Sequence, residues 1–254
     1  MPIRARTGPR ASATLESVTL IVLPGLDGTS ILVEPIVAAL EAKVRIVVVE
    51  YPQRGPTAYA DLEPLVAEQV RRAGPCVLLG WSFGGPLALR VARQDPERVR
   101  GVVLCASFVR SPRLWLARWR FAAAPAVVGT IRALWRLRLW VPGNASPEFR
   151  LAKRRTWRAV GARSLAARAR EVLAVDARSD LAECRAPILC VAGSRDRAVP
   201  AHNAREIVAG ARSAELVTIA GSHMALFTSA REAAVHLERF LSRVVAADDS
   251  WPLT

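Results

Sequence analysis

The sequence predicts an α/β fold: a mostly parallel sheet with helices on both faces and an inserted helical cap. Short apolar runs rich in β-branched residues recur along the chain, and stretches with helical spacing separate them. Residues 110–182 interrupt this alternation, because they carry Trp, Arg, Leu and Ala at helical spacing and no convincing strand. Strands joined by crossover helices form parallel sheets. We therefore expect residues 1–109 and 183–254 to form the core, and residues 110–182 to form the cap.

The elements of this core are predicted in alternation. The amino-terminal part gives a strand at 17–25, a helix at 31–43 with Ser30 as its N-cap, and a strand at 45–52. A helix at 59–73, a strand at 76–81, a helix at 84–94 and a strand at 99–107 follow. The carboxy-terminal part gives a strand at 187–193, a helix at 201–210, a strand at 215–220 and a helix at 229–244. One sheet, interrupted once, accounts for the chain.

A GxSxG pentapeptide, Gly80 to Gly84, lies between a predicted strand and a predicted helix. A serine at such a turn projects its hydroxyl above the sheet, and the flanking glycines let the strand and the helix approach each other. The helix N-terminus also brings free N–H groups close to the serine. This context predicts that Ser82 is a nucleophile rather than part of a purely structural turn.

Three histidines are candidates for the base that removes the proton of Ser82. His236 lies inside the predicted closing helix, and His202 lies at the start of another helix, so packing, surface or capping roles are expected for both. His223 lies in a loop directly after the last predicted strand, at the carboxyl edge where ligands bind to parallel sheets. His223 is therefore the predicted base.

An acid must fix the orientation of the imidazole and stabilise its protonated form. Asp196 follows the strand that precedes the strand of His223, which gives the chain order nucleophile, acid, base. Asp176 and Asp180 are rivals, but both lie in the connection from the cap to the sheet, where solvated or capping roles are expected. The sequence therefore favours Asp196.

The oxyanion of a tetrahedral intermediate requires two hydrogen-bond donors. The backbone N–H of Phe83, directly after the nucleophile, is the first predicted donor. The loop LPGLDGTS after the first strand offers the second, at the N–H of Leu26, and an ordinary glycine-rich loop is the alternative interpretation. Trp81 precedes the nucleophile and is predicted to contact the substrate.

These motifs together resemble the α/β-hydrolase superfamily across nearly the whole chain. The resemblance rests on LPGLDG, GWSFGG, DPERVRGVVLCAS, DLAECRAPILCVAGSRDRAVP and GSHM, and on the chain order Ser, Asp, His. The layout is most similar to small bacterial carboxylesterases, including the pimeloyl-acyl-carrier-protein methyl ester esterases, which share the GWS turn and a cap of comparable position. Pro24-Gly25 stands where many members carry His-Gly, and few residues precede the first strand. We therefore expect a sheet with fewer strands than usual.

The resemblance implies hydrolysis of a carboxylic ester through an acyl-enzyme, without a metal ion or an organic cofactor. A small-molecule ester is the expected substrate. Two alternatives stay open: the same triad acting on acyl esters or thioesters bound to an acyl carrier protein, and a non-catalytic binding protein with a hydrolase fold. Lactones and carbon–carbon bonds are cleaved by the same three groups, so the sequence does not choose among these substrates.

The net charge of +14 is concentrated in one segment. Residues 110–170 hold fourteen arginines and Lys153 against one acid, Glu148, and the rest of the chain is formally balanced. Only two lysines, Lys43 and Lys153, occur in the chain, so biased composition explains the preference for arginine but not its confinement. A solvated charged face is one interpretation of this segment. An acidic carrier protein or an anionic membrane surface is the other, because a dense positive field attracts negative partners. Nucleic acid is the least favoured partner, because no binding motif accompanies the charge.

The cysteines and the first residues bear on location. The four cysteines form no CxxC pair, and three of them lie in apolar runs, so buried reduced thiols are expected. The first twenty residues contain arginines and prolines and no apolar run of the secretory type. These features predict a cytoplasmic protein.

Overall fold

A computed structural model of the chain describes residues 15–113, 115, 124–126, 129, 130 and 146–247. Most of the predicted cap between residues 113 and 146 therefore lies outside the described residues. Within the described residues, six strands form one sheet in which every neighbouring pair is parallel. The predicted α/β class with a parallel sheet is confirmed, and the described residues contribute six strands to that sheet.

The strands lie in the order β2-β1-β3-β4-β5-β6 across the sheet. Their bounds are β1 Thr19–Leu23, β2 Arg45–Val48, β3 Cys76–Trp81, β4 Val99–Cys105, β5 Ile188–Gly193 and β6 Ala214–Ile219. All six occur where the alternation of apolar runs predicts them. Strands β1 and β4 each end two residues earlier than predicted, and β2 ends four residues earlier.

The helices of the described residues follow the same alternation. They are α1 Glu34–Leu40, α2 Tyr59–Ala73, α3 Gly84–Gln94, α4 Pro147–Ala159, α5 Ala162–Ala174, α6 Arg178–Glu183, α7 Ala201–Gly210, α8 Ala225–Thr228 and α9 Ala230–Ala246. The predicted N-cap at Ser30 is wrong. Helix α1 begins at Glu34, and the Ser30 hydroxyl donates to the carboxylate of Glu50 at 2.7 Å instead. Among the described residues, no helix has the length and apolar character needed to cross a membrane.

The sheet is buried on both faces. Along β3, Cys76 and Leu78 join the core cluster that contains helices α2 and α3, whereas Val77 and Leu79 join the cluster that contains α1 and α9. This alternation follows from the two-residue period of a strand. Helices α4 and α5 lie within the segment predicted as a cap, while the division of the chain into core and cap stays a prediction.

The strand order places a topological switch point between β1 and β3. After β1 the chain crosses to β2 on one side, and it then returns to place β3 on the other side of β1. The loops that leave the carboxyl ends of β1 and β3 therefore diverge and open a crevice, which is where ligands bind in open α/β sheets. Those two loops contain Leu26 and Ser82.

Candidate active site

Ser82 occupies a strained turn between β3 and α3. Its φ angle is +52°, a left-handed conformation that non-glycine residues rarely adopt. The turn requires glycine on both sides, because a Cβ at Gly80 would contact the backbone of Gly84 at 2.5 Å and a Cβ at Gly84 would overlap the carbonyl oxygen of Leu23. The two glycines of the GxSxG pattern are therefore required because the strand-to-helix junction leaves no room for a Cβ atom at either position.

Hydrogen bonds to the end of β4 and to the segment that follows it hold this turn in place. The N–H of Ser82 donates to the carbonyl of Cys105 at 2.9 Å, and the hydroxyl of Ser107 donates to the carbonyl of Ser82 at 2.8 Å. Strain of this kind persists only where surrounding contacts fix it, and it concentrates at functional sites.

The structure brings Ser82, His223 and Asp196 together. The distance from His223 Nε2 to Ser82 Oγ is 3.0 Å, and the distance from His223 Nδ1 to Asp196 Oδ2 is 2.9 Å. The other carboxylate oxygen of Asp196 accepts the N–H groups of Ala198 and Val199 at 2.8 and 2.9 Å. The Asp196 side chain is 3% exposed and that of His223 is 19% exposed, so the acid is enclosed while the imidazole still meets the cavity.

The rival residues lie in other contacts. His202 is exposed and its ring nitrogen contacts the amide of Asn203 at 3.2 Å, and His236 is partly buried within α9. Asp176 pairs with Arg178 at 2.6 Å, and its pKa is lowered to about 2 chiefly by the hydrogen bonds from that guanidinium. Asp180 is buried and pairs with Arg93 at 2.7 Å, so its predicted solvated role is wrong.

The two predicted oxyanion donors lie on the loops that flank the crevice. Phe83 is the N-cap of α3, where N–H groups lack intrahelical acceptors. Within the described residues, neither the N–H of Phe83 nor that of Leu26 has a protein acceptor. Both N–H groups are thus free to donate to a ligand.

Two buried tyrosines fix these loops, and sequence reasoning missed them. Tyr59 stacks on the ring of Phe83 with centroids 4.5 Å apart, and its hydroxyl donates to the Phe83 carbonyl at 3.1 Å. Tyr51 donates to the carbonyl of Pro24 at 3.0 Å. Burial raises the pKa of both phenols well above their ordinary value, so both remain protonated donors at neutral pH.

A buried arginine from α5 also holds the loop after β1. The side chain of Arg168 donates to the carbonyl oxygens of Leu26 at 3.1 Å, Asp27 at 2.7 Å and Pro52 at 2.6 Å. Its guanidinium also lies 5.4 Å from the ring centroid of Tyr51. Sequence reasoning counted this arginine as part of a charged cap and missed its contact with the core.

A cavity of about 320 Å³ lies over Ser82. Its lining includes Trp81, Ser82, His223 and Leu26, together with Leu32, Phe108, Leu165, Val172, Val199 and Met224. Trp81 is almost fully buried, lines the cavity as its predicted role requires, and donates its indole N–H to the carbonyl of His223 at 3.3 Å. The cavity has the size and apolar lining typical of a small-molecule site.

Two charged residues, Asp27 and Lys153, also line this cavity. Burial lowers the pKa of Lys153 from its ordinary value, and the negative charge of Asp27 opposes the shift. The sequence did not predict that Lys153 would line the cavity, although Lys153 is one of only two lysines in the chain. Among the described residues, no group of three or more His, Cys, Asp and Glu is placed to hold a metal ion.

Comparison with known proteins gives matches over most of the chain. A family model described as the alpha/beta hydrolase family matches residues 20–236. A pimeloyl-acyl-carrier-protein methyl ester esterase of Stenotrophomonas maltophilia is 30% identical over 237 residues, which cover 84% of this chain and 89% of that protein.

Two further similarities extend over most of the chain. The polyketide synthase ThaQ of Burkholderia thailandensis is 28% identical over 253 residues, which cover 91% of this chain but only 12% of that much longer protein. A carboxylesterase structure from the thaumarchaeon Nitrososphaera gargenis superposes with a TM-score of 0.76 at 18% identity, covering 95% of this chain and 98% of that one. At this identity the structural similarity concerns the fold.

Proposed function

The chain belongs to the alpha/beta hydrolase family, and from that premise we propose that it is a serine esterase that cleaves a carboxylic ester through an acyl-enzyme. The observation that carries the proposal is the continuous hydrogen-bonded chain from Ser82 through His223 to Asp196, with links of 3.0 and 2.9 Å. Nucleophile, base and orienting acid need this arrangement. The similarity to an esterase that aligns over 84% of this chain and 89% of its own length supports the same class of reaction.

In the first half of the reaction, the Oγ of Ser82 attacks the ester carbonyl while its proton passes to Nε2 of His223. The carbonyl electron pair moves onto oxygen, where the N–H groups of Leu26 and Phe83 are the proposed donors. The carbonyl then re-forms, the bond to the alcohol oxygen breaks, and the alcohol leaves with the proton from His223. An acyl ester on Ser82 remains.

In the second half, His223 removes a proton from water, and the resulting hydroxide attacks the acyl carbonyl. The bond to Ser82 Oγ breaks, and His223 returns the proton to Ser82. The Asp196 carboxylate stabilises the imidazolium in both halves and fixes the tautomer in which Nε2 accepts from the serine. The described residues thus provide each proton transfer without a further group.

The test of this proposal is hydrolysis of p-nitrophenyl butyrate by Ser82→Ala. We expect activity to fall to the uncatalysed background while the circular dichroism spectrum stays unchanged. Ser242→Ala is the matched control, because that hydroxyl bonds only within its own helix, to the carbonyl of Glu238 at 2.9 Å. Wild-type turnover in Ser82→Ala would disprove the assignment. Failure of a fluorophosphonate probe to label Ser82, together with no hydrolysis, would favour a non-catalytic binding protein instead.

A second candidate is the same reaction on an acyl ester or thioester bound to an acyl carrier protein. It is supported by the substrate named in the description of the Stenotrophomonas relative, a pimeloyl-acyl-carrier-protein methyl ester, and by the positive charge of residues 110–170. Arg158 and Arg163 are exposed on α4 and α5, where an acidic partner or an anionic membrane would meet them.

Salt separates the two candidates. A carrier-bound substrate should lose kcat/KM steeply between 20 and 300 mM NaCl, because ions screen attraction between exposed charges, whereas a small neutral ester should not. Equal salt dependence of the two substrates would exclude the carrier proposal. If the protein binds anionic vesicles and this binding weakens steeply over the same range of salt, the basic surface is a membrane-binding surface instead.

We also propose a cytoplasmic location. The four cysteines are unpaired and buried, as is usual in a reducing compartment.

A further inference from the structure

Lys153 lies on the inward face of α4. Helical spacing places it beside Ala152, Thr156 and Trp157, which are buried or partly buried, whereas most other charged residues of the helix are exposed. Arg154, the next residue, is exposed. A lysine on the side of a helix that faces an apolar cavity is costly unless its charge has a partner.

The structure gives this ammonium no such partner among the residues that it describes. Lys153 forms no ion pair or hydrogen bond there, and its Nζ lies 5.5 Å from the centroid of the Trp157 ring. By contrast, Arg155 on the same helix donates to both carboxylate oxygens of Glu34 at 2.9 Å. The cation–π contact offsets only part of the cost of burial.

Asp27 does not neutralise the ammonium directly. It lines the same cavity, and its Oδ2 accepts the N–H and the hydroxyl of Thr29 at 3.1 and 2.5 Å. It forms no ion pair with Lys153 in the described part of the chain. The cavity is lined mainly by apolar side chains, and Lys153 and Ser82 both belong to its lining. Lys153 therefore places in the cavity a positive charge that has no direct counter-ion among the described residues.

We propose that Lys153 is an anion-binding subsite for a carboxylate at the far end of the acyl chain, so that the preferred substrates are esters of dicarboxylic half-acids. This inference rests on the proposed esterase function. We assign the subsite to the acyl part rather than to the alcohol, because Lys153 and Ser82 line the same cavity and the acyl part stays bonded to Ser82 after the alcohol leaves. A carboxylate fits better than a phosphate, because a dianion beside Asp27 would exceed the single charge of the ammonium.

The test compares two substrates of equal acyl length, the p-nitrophenyl monoester of adipic acid and p-nitrophenyl hexanoate. For the wild type we expect kcat/KM to favour the adipate ester by at least about tenfold, since a hydrogen bond between charged groups in a shielded site is worth that much. Lys153→Met should reverse the preference, because Asp27 then repels the carboxylate without opposition. Lys153→Arg should retain part of it.

Arg154→Met is the matched control, because it removes the same charge from the exposed face of the same helix. We expect it to keep the wild-type ratio. An equal ratio in the wild type and in Lys153→Met would overturn the subsite, as would an equal loss in Arg154→Met, which would assign the preference to the general field of the cap.

A binding measurement keeps this inference separable from the esterase proposal. Adipate should raise the Tm of wild type and of Ser82→Ala, and it should leave the Tm of Lys153→Met unchanged. If neither ester is hydrolysed but adipate still binds in this pattern, the esterase proposal fails and the subsite stands. If the neutral ester is hydrolysed and adipate gives no shift in any protein, the subsite fails and the esterase stands.

Discussion

The guanidinium of Arg168 donates a 2.7 Å hydrogen bond to the carbonyl oxygen of Asp27, and this bond joins helix α5 to the loop after β1. The adjacent carbonyl of Leu26 accepts from the same nitrogen at 3.1 Å. The Arg168 residue is 0% exposed, so these carbonyls have a shielded donor in place of water. Because the Leu26 N–H is a proposed oxyanion donor, the helix and the reaction centre are mechanically connected.

Replacing Arg168 by Met should therefore damage both stability and turnover. The substitution removes the guanidinium donor from three carbonyl oxygens, and the carbonyl of Asp27 keeps a second donor in the amide of Gln53 at 3.3 Å. The loss should cost about 1–3 kcal/mol of unfolding free energy. We also expect kcat for p-nitrophenyl butyrate to fall by about tenfold to a hundredfold, because an oxyanion donor acts only from a fixed position. Urea denaturation and steady-state kinetics measure the two effects.

Arg168→Lys helps to separate charge from geometry. A single ammonium cannot reach all three carbonyls in the planar arrangement of a guanidinium, so this variant should recover only part of the lost stability. A wild-type urea midpoint in Arg168→Met would contradict the interpretation, because it would mean that water replaces the guanidinium at no cost.

Asp196→Asn should separate the charge of the acid from its shape. The amide oxygen can still accept the N–H groups of Ala198 and Val199, so the loop should stay folded. The His223 Nδ1 proton loses its acceptor carboxylate, and kcat should fall by about 10³- to 10⁴-fold. The measurement is p-nitrophenyl butyrate hydrolysis at pH 7.

The control for this variant is Asp176→Asn. Asp176 was the rival acid in the sequence, and the structure places it in a surface pair with Arg178. Exposed pairs contribute little to stability, and this one is not connected to His223, so activity should stay within about twofold of wild type. A larger loss in Asp176→Asn than in Asp196→Asn would reverse the assignment of the acid.

Gly84→Ala tests the steric explanation of the serine turn. A Cβ at this position would overlap the carbonyl oxygen of Leu23 and lie 2.9 Å from that of Pro24, so α3 would have to move away from β1. We expect the free energy of unfolding to fall by more than about 3 kcal/mol, because backbone atoms in a packed core cannot move without a large cost.

Gly55→Ala is the comparison. Gly55 has a φ of +87° and open space around it, so only conformational strain of about 1–2 kcal/mol applies. Urea unfolding measures the free energy of unfolding of both variants, and an equal loss in Gly84→Ala and Gly55→Ala would refute the steric explanation.

The three side chains that the structure brings together, Ser82, His223 and Asp196, could be selected from the sequence because local rules determine most of their placement. The strand-turn-helix context of Ser82 is encoded in residues 76–94, which are contiguous in the sequence. His223 is identified because it alone among three histidines follows a strand at the carboxyl edge. The carboxyl ends of parallel strands lie at one edge, so side chains after β3, β5 and β6 meet there even though they are far apart in the chain.

The walls of the cavity were less predictable, and Lys153 and Arg168 show why. Both belong to a segment whose charge suggested an exposed surface, yet one lines the cavity and the other is fully buried. Helical spacing tells which residues share a face, but the direction of that face depends on contacts with distant segments. Tyr51 and Tyr59 were missed for the same reason, since a tyrosine in sequence carries no sign of the carbonyl that it will meet.

The cysteine thiols give a pH-dependent prediction that is independent of the active site. Burial raises the pKa of Cys76 and Cys190 from 9.0 to about 12, and it raises those of Cys105 and Cys184 as well. With a pKa of about 12, only about one thiol in 10⁴ is ionised at pH 8, and the thiolate is the reactive form. Ellman's reagent at pH 8 should therefore label the native protein very slowly and label four thiols in urea. Rapid labelling of the native protein would disprove the burial of these side chains.

The same shift sets the direction of a stability change at alkaline pH. A raised pKa means that the folded state favours the protonated thiol, so this contribution is complete below pH 9 and declines as the pH rises toward 12. Cys76→Ala lacks the titrating group, so the stability advantage of wild type over this variant should shrink by about 1–2 kcal/mol between pH 8 and pH 10.5. Urea unfolding of both proteins at the two pH values measures the difference, and other alkaline titrations cancel because both proteins share them. A constant advantage would mean that the Cys76 thiol ionises in the folded protein as readily as in the unfolded chain, and that burial does not control its pKa.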